Sequence, residues 1–367
     1  VKAIRFGRAA AVLSVAAVAL TACGSDNPSG TSNGNTAPSG SNVSGQIKGI
    51  GASSQKAAMQ EWMTQFQSAN SSAKVDYSPD GSGAGRKAFI AGGAQFAGTD
   101  SSFKDEELAS VKATCASGII EVPTYISPIA MAFNVPGVKE LKLDSATAAK
   151  ILRGDITKWN DPAIAKLNSD AKLPDLAITP VHRSDDSGTT ENFTDYLNKT
   201  APDVWKDEKA QAWPSSLKGE AAKGTDGVIS TVKSTEGAVT YADESAVGDL
   251  GVVAFKVGEE FVKPSAEAAT KALDASKPKH EGSKTDLALK LDRTTTASGA
   301  YPAILASYQV FCSTYKDAKT ADTVKAWAKY VVSEEGQKAA ADAAGSAPIS
   351  SELSKKATAA IDTIKAG

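Results

Sequence analysis

Apolar residues recur along this chain at two alternating spacings. In Gln46-Ile47-Lys48-Gly49-Ile50 the isoleucines alternate with polar or small neighbours, which predicts a short first strand. After Gly51-Ala52-Ser53-Ser54, residues Ala58, Met59, Trp62, Met63 and Phe66 fall at helical spacing and predict a core-facing helix whose start carries both serines. Lys74-Val75-Asp76-Tyr77 reads as a strand running into Gly81-Ser82-Gly83-Ala84-Gly85-Arg86 and a short helix over 87–91. A largely apolar stretch, 94–99, ends on Asp100, which on structural grounds caps a helix beginning near Ser101. Residues 119–125 and 129–135 predict two strands whose proline-marked junction crosses between lobes. Two helical patterns occupy 145–166, and a strand over 176–181 precedes a helix marked by Phe193, Tyr196 and Leu197. Helix and strand alternate again through 228–242, 251–261, 287–291 and 301–311, and alanine-rich helices over 321–344 and 355–365 follow. Repeated strand-then-helix predicts an α/β protein of parallel sheets with helices on both faces.

The N-terminal stretch departs from this pattern. Lys2, Arg5 and Arg8 precede the apolar run 9–20, and Leu20-Thr21-Ala22-Cys23 follows, so residues 1–22 read as a secretory signal. The run is shorter than the ~20 residues that span a bilayer. Leu-x-Ala-Cys resembles the bacterial lipobox, in which the cysteine is acylated and becomes the mature N-terminus; Cys23 is therefore the expected lipid anchor. Residues 24–44 are rich in Gly, Ser, Asn and Pro, and as a coil would span roughly 25 Å as a tether. Cys115 and Cys312 then remain as one pair in an oxidising compartment. A disulfide between them is the expectation, and two buried free thiols are the alternative.

Composition narrows the function classes. With 367 residues and 41% hydrophobic content, the chain can build two domains beyond its N-terminal segment. A net charge of −2 offers no basic face for nucleic acid. Two histidines, His182 and His280, and three scattered cysteines do not make a zinc site, and no metal or cofactor is expected.

The chemistry concentrates in Arg183-Ser184-Asp185-Asp186-Ser187-Gly188-Thr189, set at a helix start. First-turn amides lack internal partners, and the peptide dipoles leave about +0.5 charge there, so an oxyanion satisfies both deficits. Arg183 adds a bidentate fork, and Asp185 is near enough to orient it. The structural alternative is an ordinary turn and N-cap with Arg183 in a surface ion pair. Ser53-Ser54 and Gly81-Ser82-Gly83 repeat the arrangement; the latter lacks the Lys-Ser/Thr of a nucleotide P-loop.

These turns, with Gly98-Thr99-Asp100 and Ile151-Leu152-Arg153-Gly154-Asp155-Ile156-Thr157-Lys158-Trp159-Asn160, occur in order over residues 46–350. In this they resemble the phosphate-binding proteins of the bacterial phosphate ABC transporter, the PstS family. The resemblance implies a two-lobed class II periplasmic-binding-protein fold, each lobe a mostly parallel sheet flanked by helices, with the ligand cleft between. It divides the chain into residues 45–125 plus 303–367 for one lobe and 126–302 for the other. It implies inorganic phosphate held by Ser53, Ser54, Ser82, Asp100, Arg183, Ser187, Gly188 and Thr189, with Asp185 steadying Arg183. At Ser54 the family often carries an aromatic residue that contributes only its amide. The resemblance further implies a monomer, anchored at the outer face of the cell membrane, that delivers phosphate to a permease.

Physical logic stands beside the resemblance. Phosphate near neutral pH carries a proton that a carboxylate such as Asp100 accepts, whereas sulfate leaves that acid an unpaired charge facing another. A sulfate- or molybdate-binding protein is the nearest alternative. A serine hydrolase or phosphatase using Ser187 lacks a Gly-x-Ser-x-Gly elbow, and no metal-ligand cluster is visible. A sensor or adhesion lipoprotein with a lost site is disfavoured because the expected polar residues are present.

Overall fold

The chain enters its fold through β1 (Gly45–Gly51), α1 (Lys56–Ala69), β2 (Ala73–Ser78), α2 (Ser82–Ile90), β3 (Phe96–Thr99) and α3 (Asp105–Ser110). The long β4 (Ile119–Phe133) leads to β5 (Glu140–Leu143), α4 (Ser145–Arg153), α5 (Pro162–Leu167), β6 (Thr179–Arg183), α6 (Gly188–Thr200), β7 (Glu220–Ala222) and α7 (Gly224–Ser234). Then come β8 (Ala238–Asp243), β9 (Gly251–Val257), β10 (Glu260–Val262), α8 (Ala266–Asp274) and the small pair β11 (Lys277–Pro278) and β12 (Leu289–Lys290). The chain returns through β13 (Ile304–Cys312), followed by β14 (Thr314–Tyr315), α9 (Ala318–Val332), α10 (Glu334–Ala344), α11 (Ser351–Ile361) and β15 (Lys365–Ala366). This computed structural model describes residues 43–367; the signal segment 1–22, Cys23 and the tether up to residue 42 lie outside the described residues.

Helical spacing does what it predicts in α1, which buries Ala58, Met59, Trp62 and Phe66 and leaves Met63 only partly covered. The Trp62 indole N–H finds the Gly336 carbonyl of α10 at 2.6 Å, so its polar edge is satisfied inside the core. Against β1, α2 approaches so closely that a Cβ on Gly85 would sit 2.5 Å from both the Ile50 carbonyl oxygen and the Gly51 Cα. Only a residue without a side chain lets the start of that helix rest on the strand.

Eleven of the described strands form one mixed sheet in the order β2-β1-β3-β13-β4-β8-β6-β7, with β9 on β4 and both β5 and β10 on β9, while β11 pairs with β12 and β14 with β15 apart from it. β1 runs parallel to β2 and β3, and β6 runs parallel to β7 and β8, as strand-then-helix alternation requires. The two long strands run against this grain: β13 is antiparallel to β3 and β4, and β4 is antiparallel to β8 and β9. They carry the chain across the sheet and back, and an antiparallel pairing needs no crossover helix.

Two local expectations change. The strands expected at 119–125 and 129–135 are one continuous β4, which pairs with β13 as far as Pro128 and with β8 from Ile129. Both prolines fit because Pro128 stands where the partner changes. Pro123 stands at a register shift, where Ser307 and Tyr308 oppose Tyr125 and Pro123. Asp100 caps no helix: α3 starts at Asp105, and Glu107 accepts the Lys104 amide at 3.0 Å in its place.

Cys115 and Cys312 are joined as a disulfide with Cα atoms 5.1 Å apart, closing 197 residues of sequence between the turn after α3 and the end of β13. Among the described residues no helix is long and apolar enough to cross a membrane. The loop length leads to an expected outcome: replacing both cysteines by alanine lowers the unfolding free energy by up to about 5 kcal/mol in the chain-entropy picture, read from urea midpoints.

Candidate functional site

Four helix starts meet at one place. Ser53 and Ser54 lie in the turn before α1, Ser82 is the first residue of α2, Gly188 and Thr189 open α6 behind the N-cap Ser187, and Gly224 and Thr225 open α7. A Cβ on Gly188 would lie 2.6 Å from both Ser82 Oγ and Asp100 Cβ, so α6 begins directly against α2 and the end of β3. Ser53 Oγ accepts the Thr225 amide at 3.1 Å and lies 2.9 Å from its hydroxyl, which brings α7 to the α1 turn. The Gly83 amide donates to the Asp186 carbonyl at 3.0 Å. Ser187 Oγ accepts the Thr190 amide at 3.1 Å, so its cap leaves the first two amides of α6 without a helical partner.

Asp100 sits at the centre of this meeting, 4% exposed. Its Oδ1 accepts from Ser54 Oγ at 2.7 Å and Ser307 Oγ at 2.6 Å, and its Oδ2 accepts from Thr189 Oγ1 at 3.1 Å. Burial raises the carboxyl above its ordinary range, and the hydrogen bonds from Ser307, Ser54 and Thr189, with the charge of Arg183, oppose that rise. A carboxylate has about four acceptor positions. Two hydroxyls fill those of Oδ1, and Oδ2 keeps one beyond Thr189. The backbone is fastened as well: the Asp100 amide donates to Ser82 Oγ at 3.1 Å, and Asn192 Nδ2 donates to its carbonyl at 2.7 Å.

Arg183, at the end of β6, is 4% exposed and forms no surface ion pair. Its Nε and Nη2 donate to the two Asp185 oxygens at 2.8 and 2.5 Å, a bidentate fork that leaves three of the five guanidinium hydrogens for other acceptors. Burial alone would raise Asp185, but the fork and charge of Arg183 hold it below the ordinary carboxylate range, helped by the Gly224 amide at 3.0 Å. Behind the fork, His182 stacks on Trp213, Trp213 on Tyr241, and Tyr241 on Phe193, so rigid aromatic faces back the strand that carries the arginine.

Every residue singled out from the sequence, Ser53, Ser54, Ser82, Asp100, Arg183, Asp185, Ser187, Gly188 and Thr189, lies at this meeting, and all but the partly exposed Asp185 are buried. The motifs miss Ser307, Gln55, Asn192 and Thr225. Thr225 had a signal, because Gly224-Thr225 repeats the glycine-hydroxyl start seen elsewhere. Ser307 and Gln309 had a fainter one, as polar residues inside the buried strand Ile304–Cys312. A cavity of about 940 Å³ also borders Asp100 and Asn192, lined by lysines and acids such as Lys206, Glu208 and Lys209. Among the described residues no group of three or more His, Cys, Asp or Glu is placed to hold a metal ion.

The PBP superfamily domain matches residues 36–335. Phosphate-binding protein PstS 3 of Mycobacterium leprae is 34% identical over 331 residues, covering 88% of this chain and 89% of that protein. Phosphate-binding protein PstS 2 of Mycobacterium tuberculosis H37Rv is 32% identical over 372 residues, 99% of this chain and 100% of the other. Among solved structures, a high-affinity periplasmic phosphate-binding protein bound with phosphate superposes with a TM-score of 0.69 at 20% identity, covering 84% of this chain and 92% of its own. A phosphate-binding protein from Stenotrophomonas maltophilia gives 0.66 at 20% identity over 86% and 94%. At that identity the structural likeness speaks for the fold alone.

The tight approach of α6 to Asp100 predicts that Gly188→Ala destabilises the protein by about 1–3 kcal/mol, because the added methyl meets Asp100 and Ser82. Chemical denaturation of the variant beside the parent measures it.

Proposed function

Because this chain belongs to the PstS family of phosphate-binding proteins and has the α/β periplasmic-binding-protein fold, we propose that it binds inorganic phosphate around Asp100 and Arg183 for delivery to the permease of an ABC importer. One observation carries the reading: a buried acid stands among amide, hydroxyl and guanidinium donors, with an acceptor position remaining on Oδ2. An anion site has no use for an acid unless the guest brings a hydrogen. Phosphate near neutral pH brings one, and fully ionised sulfate does not, so Asp100 selects by repulsion as much as by attraction.

In this reading the oxygens of phosphate take the amides of the α1, α2 and α6 starts, the hydroxyls of Ser53, Ser82 and Ser187, and the three remaining hydrogens of Arg183. Ser54 and Thr189 contribute their amides, since their hydroxyls are committed to Asp100. Residues 45–125 with 303–367 form one lobe and residues 126–302 the other, joined by β4 and β13. Contacts of the closed form link them: Ser53 to Thr225, Gly83 to Asp186, Lys56 to Asp226, and Lys87 to Asp186 at 2.7 Å. Opening breaks these mostly polar contacts and exposes the site. The protein works as a monomer outside the cytoplasm, held to the membrane through acylated Cys23. It is a carrier: Ser187 Oγ caps α6, and among the described residues no His, Lys or carboxylate side chain hydrogen-bonds to it.

Titration calorimetry near neutral pH tests the assignment: phosphate is expected to bind tightly and sulfate hardly at all, and equal affinities would refute it. Asp100→Asn should narrow the preference by about tenfold to a hundredfold, the worth of a hydrogen bond to a charged group. Closure is checked separately by small-angle scattering, where the radius of gyration is expected to fall on adding phosphate; identical curves would remove the moving-lobe mechanism.

A further inference from the structure

β13 brings to the site one polar side chain that no helix-start motif supplies. Its Tyr308 pairs with Thr99 of antiparallel β3, so Ser307 falls beside Asp100, the next residue on. Against β4 the register shifts between Ser307 and Tyr308, leaving Thr124 as the extra residue of a bulge. Bulges beside functional sites re-aim side chains. Here Ser307, 0% exposed, is aimed so that its Oγ lies 2.6 Å from Asp100 Oδ1.

The direction of that bond is set from behind. Gln55 Nε2 donates to Ser307 Oγ at 2.6 Å and to the Tyr308 carbonyl at 3.1 Å. A serine hydroxyl has one hydrogen. With one lone pair of its oxygen accepting from Gln55, that hydrogen is left for the carboxylate, and Asp100 receives a donor held in place from behind.

We propose that Ser307, aimed by Gln55, is the positioning residue that keeps Asp100 an ionised acceptor, and so sets how far into acid the site goes on rejecting an oxyanion that carries no proton. The inference rests on the phosphate reading and adds a residue to it. Thr189 and Arg183 also favour the charged carboxylate, but they stand on α6 and β6 and withdraw with them when the proposed lobes part. Ser307 and Ser54 stay with Asp100 and hold it charged before the anion arrives.

The other groups around Asp100 leave this role open to the hydroxyls. Arg183 is the cation facing it, from the end of β6, and the Tyr77 phenol of β2 is the titratable group nearest in effect. Arg86 on α2 is occupied by Glu107 and Thr99, and Glu191 on α6 by Ser101. Burial pushes the Asp100 carboxyl up, and the Ser307 bond leads the influences that oppose it. Removing that donor takes stabilisation from the charged form alone, so protonation sets in at higher pH. A protonated Asp100 presents a hydrogen in place of a lone pair, and sulfate is then accepted.

Calorimetry with phosphate and with sulfate, from about pH 5 to about pH 8.5, tests this on the parent protein, Ser307→Ala and Gln55→Met. In the parent the phosphate-to-sulfate affinity ratio should fall only toward the acid end. In Ser307→Ala the fall should begin at higher pH, leaving the ratio near pH 6 about tenfold or more below the parent's. Gln55→Met, which keeps the volume and removes the donor, should move the profile the same way by less. Superimposable profiles would overturn the proposal, as would a drop in the ratio equal at every pH, which is what a packing role produces. A parent protein that binds no phosphate at any pH would instead remove the phosphate reading, and this inference with it.

Discussion

A carboxyl group buried inside the protein is the constraint on which the rest of this structure turns. Taking a carboxylate out of water costs several kcal/mol unless donors replace its hydration. Asp100 meets that requirement with hydroxyls from three separate segments: the turn before α1, the start of α6, and β13. None of these segments is near another in sequence. The demand for donors around one acid therefore ties together parts of the chain that share no local interaction.

The same demand explains the form of the helix starts. Three begin on Ser82, Gly188 and Gly224, and the turn before α1 carries Ser53 and Ser54, so backbone amides can approach the centre without large side chains intervening. Gly188 shows how little room there is, since a single added carbon would meet both Asp100 and Ser82. Positive dipole ends and Arg183 balance the buried acid and leave a surplus of donors for a second anion. Asp185 takes two hydrogens of the guanidinium and holds its plane still, so the remaining three point in a fixed direction.

The long strands make the convergence possible. β4 and β13 run side by side through the middle of the sheet, and β4 passes from β13 to β8 at Pro128 and Ile129. A pair of strands can flex at such a crossing while the packing on either side stays intact. The bulge at Ser307 lies on this pair, so the feature that links the two ends of the sheet also delivers a side chain to the site.

Much of this was legible in the residues alone. The glycine-hydroxyl turns, the arginine with its carboxylate two positions on, and the amphipathic α1 follow from interactions spanning a few residues, which sequence spacing reports directly. The resemblance carried by those turns pointed to the fold and placed the acid among the anion's contacts. What spacing could not report was the register between distant strands. Strand alternation suggested parallel sheets, yet β4 and β13 run antiparallel to their neighbours. The apparent cap at Asp100 became the hub of a network joining residues 54, 189 and 307. Local chemistry depends on neighbours along the chain and is written there. Whether Ser307 falls beside Asp100 or faces the opposite side of the sheet depends on the register between β13 and β3, and only the folded sheet decides that.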